Sequence, residues 1–193
     1  MKTIKSLLFS LLATLMLSSC GYNDMVQKQE NVESAWAQVE NVYQRRADLI
    51  PNLVASVKGA AAHEQNTLTA VIEARAKATS ISIDASNLTE ENLAQFQQAQ
   101  AGLSSALSRL MAVSEAYPTL QANENFRDLN SQLEGTENRI TVERQKFNEA
   151  AKDYNTYIRQ FPHNLVAMIF SFSAKPYFKA EAGSNVAPKV SFD

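Results

Sequence analysis

The sequence predicts an all-α fold, an antiparallel up-and-down helical bundle, on three observations. Only five glycines and five prolines interrupt 193 residues, while Ala, Gln, Glu, Asn and Leu dominate, which are helix-rich proportions. Apolar residues recur at heptad spacing in three separate rows, as expected of helices that bury one face against neighbours. The connections between rows are short and polar, which favours antiparallel neighbours.

The elements follow in order. Lys2 and Lys5 precede an apolar run, Leu7 to Leu17, that ends in Leu17-Ser18-Ser19-Cys20. The run lies within the roughly 7–15 residues of a signal-peptide h-region and below the roughly 20 that a spanning helix needs. A small-residue cleavage site followed directly by cysteine reads as a lipobox. This predicts a leader over 1–19 and lipidation of Cys20, with acyl chains such as palmitate. One chain binds a membrane marginally and two or three anchor it stably. Gly21 follows, where an aspartate would hold many lipoproteins at the inner membrane, so the sequence leans toward an outer membrane if the host has one.

A first helix is expected from near Asp24, carrying Trp36, Tyr43, Ile50 and Val57 beside Val32, Val39 and Leu53. Pro51 divides two readings. A turn there gives four helices near 24–49, 52–79, 89–117 and 123–161; a kink gives three, with a long first helix. Matched lengths favour the turn, although Leu49 and Ile50 are poor turn residues. Residues 80–87 read as a loop. Thr89 is placed to cap a helix with Glu90 and Glu91 in its first turn, bearing Phe96, Leu103, Leu110 and Tyr117. Asn123 caps the helix carrying Phe126, Leu133, Ile140, Phe147, Tyr154 and Phe161, and Phe161-Pro162 ends it. Residues 163–172 suggest a short further helix. The bundle is thus expected over 20–172 and an extended tail over 173–193.

The formal charge is −2, and −4 once Lys2 and Lys5 leave with the leader. That balance argues against a nucleic-acid binder, which would show a basic face. With the single cysteine lipidated, no thiol is left for a disulfide, a metal site or nucleophilic catalysis. His63-Glu64 lacks the second histidine of a zinc helix, since Thr67 stands in its place. No Gly-x-Ser-x-Gly elbow or glycine-rich phosphate loop occurs. Neither His63 nor His163 has a glutamate three residues before it, as bundle di-iron sites require. The sequence therefore predicts no enzyme, no catalytic or metal-binding residue and no cofactor.

Arg46 is the most informative polar residue. It shares the heptad row of Val39 and Leu53 and so points at or beside the core, where a guanidinium needs carboxylate partners. Thr136, Glu137, Glu143 and Arg144 interrupt the apolar flank of the last long helix. These positions predict a polar network or docking face made from Arg45, Arg46, Asp48, Glu137, Glu143 and Arg144. Fixing helix register is its simpler role, and docking a partner is the functional alternative. Gly135, inside a helical segment, predicts a close helix approach or a mild kink. Gln95, Gln97, Gln98 and Gln100 read as a solvated face. The apolar stretch Asn164 to Phe172 reads as a lid over one end of the bundle. If exposed, it is a patch for a protein partner rather than the bilayer, because it lacks a basic polar face.

Arg45-Arg46-Ala47-Asp48-Leu49-Ile50-Pro51-Asn52-Leu53-Val54 resembles the signature of the LemA family. So do Val57-Lys58-Gly59, His63-Glu64, Tyr117-Pro118, Ala122 to Phe126, Tyr154-Asn155 and Phe161-Pro162. Gln132-Leu133-Glu134-Gly135-Thr136-Glu137-Asn138-Arg139-Ile140 is the most specific block. The resemblance implies a helical-bundle envelope protein without an assigned enzymatic activity. Some members sit beside a membrane heat-shock metalloprotease, and a magnetosome protein is similar. Many relatives keep a transmembrane helix where this chain carries a lipobox. The expected function is a membrane-tethered binding or scaffold module for other envelope proteins, on the extracytoplasmic side. The alternative is a structural protein that self-associates at the membrane surface.

Overall fold

A computed structural model describes residues 2–61 and 63–179, with side chains from Gly21 onward. The side chains of residues 2–20, including that of Cys20, for which lipidation is expected, and the last part of the tail, 180–193, lie outside what the structure describes. Six α-helices and one 3₁₀ turn, with no strand, make up the described chain: α1 (Lys2–Ala60), α2 (Gln65–Thr79), the turn Ala85–Asn87, α3 (Glu90–Ser114), α4 (Pro118–Gln121), α5 (Glu124–Arg159) and α6 (His163–Ile169). The fold is the all-α bundle that the heptad rows predict. Arg75 of α2 reaches Ala47 of α1, Gln100 of α3 reaches Arg46, and Glu137 of α5 closes on the same guanidinium. The four main helices therefore run up, down, up and down.

The predicted turn at Pro51 is corrected: α1 continues through Pro51 to Ala60, and the chain reverses between α1 and α2. Proline supplies no N–H to the carbonyl four residues earlier, here that of Ala47. Arg75 supplies the missing donor, its Nε bonding the Ala47 carbonyl at 2.8 Å. Leu49 and Ile50 thus stay helical, as their poor turn chemistry favours, and the expected helix 52–79 is split between the end of α1 and a shorter α2.

The other boundaries follow local chemistry. The Thr89 hydroxyl accepts from the Asn92 amide while the Asn92 side chain accepts from the Thr89 amide, a reciprocal capping box at the start of α3. Asn123 accepts from the Phe126 amide at the start of α5. The 36-residue α5 is about 54 Å long at 1.5 Å per residue and lies along α1. Its row is buried from Phe126 to Tyr154, but Phe161 falls beyond the helix end and is 80% exposed.

α2 covers only one half of α1. Over the other half lie the segment 80–89 and the chain after α6. Ile83 and Leu88 enter the core, and the Ile83 carbonyl accepts from the Trp36 indole at 3.3 Å. The tail is docked where it is described. Lys175 and Phe178 are buried, and Phe178 stacks on Trp36 with ring centroids 6.0 Å apart. Asn155 and Asn148 each bond both backbone groups of a tail residue, Lys175 and Phe178 respectively, at 2.8–3.0 Å. Seven helical residues rise about 10.5 Å and three extended residues span about 10 Å. That match lets two asparagines one heptad apart hold one extended segment. The Lys175 ammonium reaches the Ala85 and Ser86 carbonyls, fastening the tail to the 3₁₀ turn.

Two predicted details change. Gly135 faces open space, where an added Cβ would meet nothing within 4 Å, so it serves no close approach. The glutamine face is split: Gln95 and Gln98 are exposed, whereas Gln100 is buried.

Candidate functional site: a polar layer and the furrow it opens on

The core falls into two apolar clusters. One gathers Met25 to Tyr43 of α1 with Ile140 to Ile158 of α5; the other gathers Ile50 to Val57 with Phe126 and Leu133. Arg46 lies between them. It is 1% exposed, and Nη1 bonds Ser104 Oγ at 2.8 Å and Glu137 Oε1 at 2.5 Å, while Nη2 bonds Gln100 Oε1 at 2.5 Å. Its guanidinium also lies 5.1 Å from the Tyr43 ring centroid, within cation–π range. Gln100 passes its amide on to the Ala78 carbonyl of α2 at 3.4 Å. One guanidinium therefore joins α1, α3 and α5 directly and reaches α2 through a glutamine.

The layer is asymmetric in its access to water. Arg46 is enclosed, but the Glu137 side chain is 42% exposed. Burial pushes the Tyr43 phenol above its ordinary value of 10.0, against the pull of Arg144 and Arg46. A cation pinned by an anion and neutral oxygens is a structural charge.

The other predicted members separate. Arg144 lines the same cleft, its guanidinium lies 4.9 Å from the Phe178 ring, and it donates to the Lys179 carbonyl. Arg45 is exposed on the outer face of α1. Asp48 is exposed and accepts from Gln44, one turn earlier. Glu143 pairs with Lys146 on its own helix at 2.8 Å. These three do not join the Arg46 layer. Arg45 and Asp48 face outward on α1, whereas Glu143, with a side chain only 17% exposed, is taken up by Lys146 on its own helix. Of the two residues that complete the layer, Gln100 is expected from the sequence on a solvated face and is instead buried, and Ser104 is not singled out. Their signal is placement beside the apolar row of α3, Gln100 between Phe96 and Leu103 and Ser104 directly after Leu103.

The layer opens on a furrow between α3 and α5. Above Glu137 lies a small cleft of about 160 Å³ lined by Tyr43, Gln97, Thr141 and Arg144 among others. Below it, two adjoining hollows of about 570 and 480 Å³ share Met111, Glu115, Asn130 and Glu134 and extend the furrow to Phe126. Leu107, Met111 and Leu133 form its apolar floor, and Ser104, Ser108 and Asn130 line it with small polar groups. Glu115 and Glu134 leave the rim net acidic beside Arg127, while Glu137 is paired with Arg46. Farther up, the docked tail fills the same seam, with the Lys179 carbonyl bonded to Gln97 of α3 and Arg144 of α5.

His63 is exposed, and the adjacent Glu64 accepts from the Tyr117 hydroxyl at 3.0 Å. This bond ties the start of α2 to the chain just after α3. Among the described residues no three His, Cys, Asp or Glu side chains are grouped to hold a metal ion.

The profile of the LemA family matches residues 35–192. Magnetosome protein MamQ 2 of Paramagnetospirillum magneticum is 28% identical over 191 aligned residues, covering 90% of this chain and 69% of that protein. Magnetosome protein MamQ of Magnetospirillum gryphiswaldense is 28% identical over 205, covering 94% and 74%.

Proposed function

Starting from the fact that the chain belongs to the LemA family, we propose that it is a membrane-tethered, non-enzymatic envelope lipoprotein that binds other envelope proteins through the α3–α5 furrow. The furrow carries this reading. Its apolar floor, small polar lining and acidic rim suit a basic amphipathic helix or an extended basic segment. The Arg46 layer holds α1, α3 and α5 in fixed register, so the furrow is formed before a partner arrives, which lowers the ordering entropy of binding.

The tether is supported by the lipobox ending at Cys20. Diacylglycerol on the Cys20 thiol and an acyl chain on its new amino group anchor the bundle on the extracytoplasmic side, with Gly21 favouring an outer membrane where the host has one. Mass spectrometry of the N-terminal peptide from the membrane fraction tests this. A peptide beginning at acylated Cys20 is expected, and an unmodified peptide beginning at Met1 contradicts it.

A self-associating structural protein is the second reading, favoured by the apolar surface left on α6. Cross-links from the furrow exclusively to further copies of this chain support it over binding of other proteins.

A further inference from the structure

We infer that α6 and its flanking turns form a lipid-contacting foot, which seats one end of the bundle in the bilayer surface beside the tether. This inference rests on the proposed membrane tether and adds the orientation of the bundle on it.

The outward face of α6 is apolar where a water-facing helix would be polar. Ala167 is buried and His163 and Val166 are half-buried against the body, while Leu165, Met168 and Ile169 point outward at the i, i+3, i+4 spacing of one face. Met168 is 74% and Ile169 71% exposed, and Phe161 and Phe170 flank them in the open. No Asp, Glu, Lys or Arg occurs from Gln160 to Ala174. Contiguous apolar surface of this kind marks an interaction site.

Its position identifies the occupant. α6 packs on α1 and α5 at the end of the bundle where α1 leaves the body. A Cβ on Gly21 would lie 3.1 Å from His163 Cδ2, and Tyr22 packs on Phe170 and Phe172 at 4.8 and 5.6 Å between ring centroids. Gly21 directly follows Cys20 and is four residues from Leu17 at the end of the apolar run, about 6 Å along a helix. Whether lipid on Cys20 or a retained apolar helix holds the chain, hydrocarbon begins beside this patch. A membrane-surface helix usually needs a basic face to bind on its own. Here the tether supplies the binding, so the patch needs only to exchange water for the acyl boundary, and the protein body takes the place of a polar face.

The test uses full-length chain purified from membranes and reconstituted in phosphatidylcholine/phosphatidylglycerol vesicles. Met168→Cys and, at the far end of α1, Lys58→Cys each carry an environment-sensitive fluorophore; both positions are exposed, and Lys58 lies about 55 Å from Gly21 along the helix. Replacing the lipids with tail-brominated ones is expected to quench the label at 168 severalfold and leave that at 58 unchanged. A label at 168 that stays unquenched while the protein floats with the vesicles overturns the foot and leaves the tether intact, and shielding of that label by a second copy overturns it equally. Protein that does not float overturns the tether, and the foot with it.

Discussion

Arg75 donates from Nε to the Ala47 carbonyl at 2.8 Å, the carbonyl that Pro51 leaves without its helical partner. A bond from one helix thereby repairs a gap in another, and α1 passes through a proline with its core face uninterrupted. The pairing also docks α2 on the half of α1 that needs cover. Arg75→Ala leaves a buried carbonyl unsatisfied and is expected to lower stability by about 1–3 kcal/mol. Pro51→Ala restores the helical donor, so in that background Arg75→Ala is expected to cost measurably less. Urea denaturation of the four proteins in the cycle gives the coupling, and equal costs in both backgrounds contradict the repair.

The Arg46 layer predicts an inequality. Glu137→Ala strands a guanidinium that cannot reach water, whereas Arg46→Met strands a carboxylate that is already 42% exposed and can turn outward. Loss of the acid is therefore expected to destabilise more than loss of the base, at about 3 kcal/mol, the lower end for breaking a buried pair. Arg46→Met combined with Glu137→Leu recovers part of the loss. Denaturation midpoints check the order, and a costlier Arg46→Met contradicts it.

Asn155 and Asn148 hold the tail through four hydrogen bonds to backbone. Asn155→Leu removes two of them and is expected to free the tail near Lys175 at about 2 kcal/mol or more. Trp36, the single tryptophan, stacks on Phe178, so its fluorescence reports the change. A red shift and faster amide exchange at residues 175–178 are expected, with little change in helical circular dichroism.

Gly135→Ala is expected to stabilise the protein by about 1 kcal/mol, the propensity difference in a helix interior, because the new methyl group enters open space. A loss of stability contradicts the open space at this position.

The sequence exposes those features that depend on one helix at a time. The rows beginning at Trp36, Phe96 and Phe126 locate the core, and Thr89 and Asn123 locate two helix starts, because periodicity and caps act within a few residues. Arg46 stands out for the same reason, as a charge in an apolar row. What escapes is settled by distant partners. Pro51 stays helical through a donor on the next helix. Gln100 is buried because a guanidinium from α1 needs its oxygen. Residues 173–179 look like a plain extended tail, although two asparagines on α5 fix their backbone. The furrow is the space left between two helices, so no motif in either one announces it.

Photo-cross-linking in the furrow in intact cells tests the central claim most directly. A cross-linking residue at Ser108, inside the furrow, is compared with one at Glu73, exposed on α2. The account predicts a discrete adduct with a different envelope protein from position 108, absent from position 73 and weakened by Met111→Glu, which places a charge on the partly exposed furrow floor. Equal adducts from both positions, or none from 108 other than with a second copy of this chain, would contradict it.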